Sequence, residues 1–244
     1  ALDEARDRVA AALGVQPGER VFLLAGRVPR AYVAVLGALR GRFVACPRFS
    51  AFGPDPIEQR MVLGDAAVLV TTSALFRRKV AAMLDRLPVR HTILLDIDDQ
   101  ALAPEGTLAY GALVDAIAPA VDVAPTSPAD PAVLHFTSGT TGTPKGALHV
   151  HGAVGMHRAT TEDVFGLERG DVYWCTADPG WVTGTSYGII GPLTVGATLV
   201  VDEAEFDAER WYRILAAQRV QVWYTAPTAI RMLVHAGSEL GGRF

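Results

Sequence analysis

The sequence predicts an α/β protein built on largely parallel sheets. Short apolar runs of strand length recur along the chain, segments with helical spacing separate them, and prolines and glycines punctuate the junctions. In the opening segment, Leu2, Ala5, Val9, Ala12 and Leu13 share one helical face, and Gly14 ends the helix. "RVFLLAG" has the length and composition of a buried strand. Pro29 to Arg40 is expected to be a helix, with Pro29 in its first turn. "FVACP" forms the next strand, Pro56 to Leu63 the next helix and "AAVLVTT" the strand after it. Ser73 is placed to cap a helix running to about Leu87, and "HTILLDI" is a further strand.

Ala118 to Pro131 is rich in Ala, Pro, Asp and Ser and is expected to be a connector. "AVLHFTS" is then a strand, "GALHVH" resumes β character, and a helix follows from about Gly152 to Asp163. The last third repeats the rhythm. "DVYWCTA", "ATLVVD" and "VQVWYTA" are strands, while Asp207 to Gln218 and Pro227 to His235 are helices. No internal repeat is visible.

With 244 residues, half of them apolar, the chain can bury a sizeable core. A net charge of −4 without basic clusters points away from nucleic acid and from anionic membrane surfaces. Cys46 and Cys175 lie far apart without metal-ligand spacing, which argues against a disulfide framework and for reduced thiols in the cytoplasm. No metal site is expected from protein side chains. The longest apolar stretch, "YGIIGPLTVGATLVV", is broken by Gly188, Gly191, Pro192 and Gly196, so it does not suit a membrane span. The amphipathic N-terminus does not resemble a secretory signal.

Chemistry concentrates in "HFTSGTTGTPKGALHVH", His135 to His151. Gly139 and Gly142 permit backbone conformations that aim successive N–H groups into one concavity. Thr137, Ser138, Thr140, Thr141 and Thr143 add hydroxyls, Pro144 stiffens the exit, and Lys145 supplies a mobile cation. The pattern suits a polyphosphate, although a polar loop with no ligand has the same composition. It is not a Walker A loop, and β-like sequence follows it where a helix would be needed to contribute a dipole. Only Lys79 and Lys145 of the 22 basic residues are lysines, so a compact ammonium in the loop stands out against an arginine-rich background. His149 and His151 are read on opposite faces of their strand, which would prevent convergence on a metal.

"TSGTTGTPKG" resembles the signature loop of the adenylate-forming superfamily of acyl-CoA synthetases, luciferases and peptide-synthetase adenylation domains. "DVYWCTADPGWVTGTSYGIIGPLTVGAT" and "VWYTAPTAIRMLVHAG" narrow the likeness to AMP-forming acetyl-CoA synthetases, especially the shorter bacterial type. "GERVFLLAGRVPRAYVAVLGALRGRFVACPRFSAFGPDPIEQRM" resembles the early segment of the same enzymes.

The resemblance implies that residues 1–244 are an incomplete N-terminal AMP-binding domain. Its two packed subdomains would comprise roughly 1–25 plus 164–244, and 28–163. It implies ligation of acetate to coenzyme A at the expense of ATP, through an acetyl-adenylate, with Mg²⁺ accompanying the nucleotide and AMP and diphosphate released. Thr137, Ser138, Gly139, Thr140, Thr141, Gly142, Thr143 and Lys145 would bind ATP. Lys145 and Thr140 would act in catalysis, and Thr140 or Thr141 would help hold Mg²⁺–ATP. Trp181, Val182 and Thr183 would lie beside the acyl pocket and the pantetheine tunnel, whereas without the resemblance Trp181 reads as an ordinary core tryptophan. The superfamily's later motifs are absent, so the chain is expected to be a fragment inactive alone. Two alternatives stay open: a ligase for propionate or another short acid, and a non-catalytic nucleotide-binding module.

Overall fold

The computed structural model describes residues 16–116, 125–137 and 143–244. The helix expected before Gly14, much of the connector after Ala118, and the loop residues Ser138, Gly139, Thr140, Thr141 and Gly142 lie outside the described residues. The chain divides into two compact units, Ala1–Ala153 and Val154–Phe244.

The first unit is a seven-stranded sheet in the order β5-β4-β3-β1-β2-β6-β7. Its strands are β1 (Arg20–Leu24), β2 (Val44–Pro47), β3 (Ala66–Thr71), β4 (His91–Leu94), β5 (Leu108–Ala109), β6 (Pro131–Thr137) and β7 (Lys145–Val150). Every neighbouring pair is parallel except the antiparallel hairpin β6–β7. Val21, Phe22 and Leu24 are fully buried, as required of a central parallel strand covered on both faces. Helices α1 (Pro29–Arg40) and α2 (Pro54–Leu63) make the crossovers from β1 to β2 and from β2 to β3. Each opens on a proline in its first turn, where no backbone N–H is needed. Ile57 and Met61 of α2 meet Phe22, Leu24 and Leu69 in one fully buried cluster.

After β3 the expected long helix is segmented. Helix α3 (Ser73–Leu75) passes into a wide turn, Phe76–Val80, and then a tight 3₁₀ stretch, Ala81–Arg86. Its cap is Thr72, whose hydroxyl accepts from Leu75 N, and not Ser73. The Ser73 hydroxyl donates instead to the Asp96 carboxylate at 2.6 Å. Sequence reading missed the short β5 and helix α4 (Tyr110–Asp115) that follows it.

The second unit opens with α5 (Ala153–Phe165) and carries a three-stranded parallel sheet, order β10-β8-β9. Its strands are β8 (Val172–Cys175), β9 (Thr198–Val200) and β10 (Val222–Tyr224). Between β8 and β9 runs α6 (Val182–Thr185), continued by Ser186–Ile190 and Gly191–Val195. This helical segment was masked in sequence by its glycines, and Gly196 stops it in the left-handed conformation, φ 91°. Helix α7 (Ala208–Ala217) is capped by Asp207, whose carboxylate accepts from Arg210 N at 2.7 Å. Helix α8 (Pro227–His235) and the short α9 (Ser238–Gly241) close the chain. Trp174, Trp211 and Leu233 form the core between the sheet and these helices.

Two separate, mostly parallel sheets agree with the expected architecture, but the boundary needs correction. Arg20–Leu24 is the centre of the first sheet and does not join residues 164–244. A strand whose residues Val21–Leu24 are all apolar and buried is most stable between two neighbours, and β2 and β3 are the partners that short crossovers bring to it. The division between the units falls at Ala153 and Val154, not at Asp163.

The burial pattern makes a direct prediction. Leu69→Ala, in a fully buried position of β3, should cost about 2–5 kcal/mol. Leu148→Ala, on edge strand β7 with its residue 55% exposed, should stay within about 0.5 kcal/mol of the parent. Equilibrium denaturation of both variants measures the difference.

Candidate functional site

The glycine loop connects the antiparallel strands β6 and β7. Residues pair in antiparallel register from Pro131 with Val150 to Thr137 with Lys145, so the two loop ends are held opposite one another. The Thr137 hydroxyl lies 3.5 Å from the Lys145 carbonyl oxygen. Thr137, Thr143 and Lys145 are exposed, whereas Pro144 between them is buried and fixes the return of the chain. Sequence reading placed a strand, not a helix, after the loop, and β7 is that strand. A helix dipole therefore has no part here. At the described ends of the loop, the Thr137 and Thr143 hydroxyls and the Lys145 ammonium lie on exposed residues.

The two lysines have different surroundings. The Lys79 ammonium donates to the carbonyls of Ser50 and Phe52 at 2.5 and 2.6 Å, tying a loop to the wide turn after α3. Lys145 projects from the hairpin, and no carboxylate pairs with it among the described residues.

Behind the loop, the His135 and His149 rings meet edge-on, with centroids 5.7 Å apart. His151 follows the end of β7, and its backbone N–H donates to the Asp130 carbonyl at 2.9 Å. Burial pushes its imidazole below the usual histidine range, against the pull of Asp130. The assignment of His149 and His151 to opposite faces is corrected, because residues two apart on a strand share a face. His151 lies just past the end of β7, and the two rings have different neighbours. Among the described residues, no three His, Cys, Asp or Glu side chains gather as metal ligands.

The second patch lies in the other unit, at the carboxyl end of β8. Asp178 builds an Asx turn by accepting from Gly180 N at 2.7 Å. Trp181 N donates to the Asp178 carbonyl at 2.9 Å. The Thr185 hydroxyl, fully buried, donates to the Pro179 carbonyl at 2.6 Å and locks the turn onto α6. This scaffold presents Trp181 with 52% of its surface exposed, Val182 exposed and Thr183 half-buried. Trp181 is thus not a core residue. Trp174 and Trp211 are, at 1% and 6% exposed.

Sequence reading treated the "YTAPT" segment as packing and missed a polar pair beside this turn. The hydroxyls of Thr176 and Thr225, just past β8 and β10, are 2.6 Å apart. The signal available in sequence was a threonine directly after each of two apolar strands. Of the predicted residues, the structure brings Thr137 together with Lys145, and Trp181 with Val182 and Thr183. A separate groove of about 410 Å³, lined by Leu199, Asp202, Arg210 and Ile214 among others, contains none of them.

Comparison with known proteins adds the following. The family model described as AMP-binding enzyme matches residues 1–242. An acetyl-coenzyme A synthetase of Bacillus subtilis is 39% identical over 94% of this chain, and one of Pyrobaculum arsenaticum is 33% identical over 94%. The chain spans 40% and 37% of the length of these curated relatives. An acyl-CoA synthetase structure from Brucella canis superposes with a TM-score of 0.89 at 33% identity, covering 99% of this chain and 44% of that one. An anthranilate CoA ligase structure shares the fold at 24% identity, with a TM-score of 0.86.

The turn at Trp181 is tight enough to test by adding one methyl group. A Cβ on Gly184 would fall on the Asp178 carbonyl and within 3.0 Å of Pro179 N, both rigid backbone. Gly184→Ala should therefore destabilise the protein by about 1–3 kcal/mol. Gly155→Ala in α5, where the added carbon meets nothing within 4 Å, should instead stabilise it by about 0.5–1 kcal/mol. Chemical denaturation of the pair reads both signs.

Proposed function

Because the chain belongs to the AMP-binding enzyme family, we propose that its glycine hairpin holds the polyphosphate of ATP in a protein that joins acetate to coenzyme A. In the first step an acetate oxygen attacks the α-phosphorus, the bond from that phosphorus to the bridging oxygen breaks, and diphosphate leaves. In the second, the coenzyme A sulfur attacks the acyl carbon of the acetyl-adenylate and AMP departs. Both steps move negative charge onto phosphoryl oxygens, so positioned donors and cations supply the catalysis.

The observation that carries this reading is an exposed lysine, without a carboxylate partner among the described residues, held opposite Thr137 at the mouth of the hairpin. Lys145 neutralises charge on the β- and γ-phosphates. Thr137, Ser138, Thr140, Thr141 and Thr143 donate to their oxygens, and Gly139 and Gly142 let the backbone N–H groups do the same. Thr140 or Thr141 would help hold Mg²⁺–ATP, and the ion when bound would neutralise phosphate charge. Trp181, Val182 and Thr183 form a wall of the path taken by the acyl group and the pantetheine arm. The acetyl-coenzyme A synthetases among the relatives support acetate as the acid.

Acetate-dependent exchange of diphosphate with ATP tests the first step, using the polypeptide that carries this chain at the full length of its relatives. Exchange should require acetate. Lys145→Ala should slow it by about tenfold or more, and Lys145→Arg should recover little, since a planar fork does not substitute for a compact ammonium. An alanine variant that exchanges at the parent rate would reduce the hairpin to a structural turn.

Trp181 separates two uses of its indole. We place it along the thiol path, so Trp181→Ala should raise the KM for coenzyme A and leave the preference for acetate over butyrate intact. If the indole limits the acid pocket instead, butyrate should gain about tenfold in kcat/KM relative to acetate, the scale of one or two methylenes.

A further inference from the structure

Beneath the hairpin lies an arginine that the proposed chemistry does not use. Arg48 follows β2 and is 3% exposed. Its Nη2 donates to the Leu134 carbonyl of β6 at 3.0 Å, and its Nε to the Cys46 carbonyl at 3.4 Å. Its backbone N–H donates to Leu23 of β1 at 2.7 Å. The guanidinium carbon lies 4.6 Å from the Phe136 ring centroid and 5.2 Å from that of Phe22.

No carboxylate pairs with Arg48 among the described residues, and the nearby cation of Arg60 opposes it. Burial pushes the guanidinium down to about 10, still charged at neutral pH. A buried charge compensated only by carbonyls and aromatic faces is costly, and an apolar residue of similar volume would usually serve stability as well. Its location suggests what the charge provides. The β2–β6 ladder consists of the single pair Ala45 and Val133. Just beyond that pair the planar fork bridges the two strands and stacks on Phe136, the residue before Thr137.

We propose that Arg48 is a positioning residue for the strand ends that flank the glycine loop: it bolts β6 to β1 and β2 where the ladder ends, and so sets Thr137 and Lys145 for the polyphosphate. The inference rests on the phosphate reading of the hairpin. It assigns Arg48 no contact with substrate.

Hydrogen exchange followed by mass spectrometry, with and without Mg²⁺–ATP, tests it in the same full-length polypeptide. In Arg48→Met, amides of 134–137 and 143–147 should exchange about tenfold faster than in the parent while those of β3 and β4 keep their rates. The KM for ATP in diphosphate exchange should rise about tenfold, with kcat changed less than threefold. Arg48→Lys keeps the charge and the stem but loses the fork, so it should loosen the hairpin nearly as much. It also carries the test if the methionine variant does not fold.

Three results would overturn the proposal. The hairpin could keep the parent's protection in a folded variant. Its loosening could spread evenly over the seven strands. Or the hairpin could loosen while the KM for ATP stays put, which would make Arg48 structural only. A parent protein without acetate-dependent exchange would remove the acetate reading, and hairpin protection on adding Mg²⁺–ATP would then decide the part played by Arg48.

Discussion

The first unit depends on the burial of β1 between β2 and β3. A parallel strand at the centre of a sheet has no solvent face over most of its length, so the buried side chains along it must find apolar partners. Phe22 and Leu24 do so at essentially zero exposure, against Ile57, Met61 and Leu69, and Val21 is equally buried. Burial of one such side chain contributes about 1.5–3 kcal/mol, so this strand and its neighbours supply much of the energy that holds the unit. Phe22 also extends the core toward the hairpin, with its ring 6.4 Å from that of Phe136. Gly64, at the end of α2, has no side chain because a Cβ there would lie 2.6 Å from the Phe22 ring and 3.2 Å from the Phe136 ring. The strand leading into the loop is thereby packed against the centre of the fold.

Parallel sheets bring the carboxyl ends of their strands to one edge, and both candidate patches sit at such ends. Thr137 ends β6, while Thr176 and Thr225 follow β8 and β10. Loops there answer to few packing demands and can carry polar groups that a core would reject. The hairpin departs from the parallel pattern in one respect. β7 returns antiparallel at the sheet edge, so Lys145 emerges at the mouth of the turn with solvent beside it. A helical crossover in its place would have carried the chain away from the loop. The antiparallel return keeps both ends of the loop within one register pair.

Elements governed by local pattern were legible in the sequence. α1 and α8 have the expected termini, because each combines an opening proline with an apolar stripe. Apart from the two-residue β5, the strands of both sheets were visible as apolar runs. Elements governed by tertiary contact were not. The stretch from Gly184 to Gly196 looks like loop by propensity, yet it is helical because small residues let it lie close to neighbouring backbone. Gly191, for example, sits against Thr161 and the His157 carbonyl. The break-up of the helix after β3 and the shift of its cap from Ser73 to Thr72 also depend on distant groups, the Asp96 carboxylate among them. At the candidate site, residue identities in the hairpin could be read from the glycine, hydroxyl and lysine pattern. The exposure of Trp181 could not, since an apolar ring in an apolar segment reads as core until a built turn is seen to push it outward.

Three cations show how far composition can and cannot go. An arginine-rich chain that retains two lysines invites the thought that both are needed as lysines, and the structure divides them. Lys79 caps two carbonyls and is absorbed by the fold. Lys145 has no such partner within the described residues. Arg48 reverses the usual expectation for a charge in an apolar run, because it is buried deeper than either lysine and is stabilised by geometry that an ammonium cannot copy. Its planar fork reaches carbonyls of two strands while its faces meet two aromatic rings. Among the described residues neither Arg48, beneath β6, nor Lys145, opposite its last residue, pairs with a carboxylate, which suits the anion proposed for the hairpin. A polyphosphate bound at the loop would meet a positive potential already organised by the fold, and would not have to recruit it from solvent.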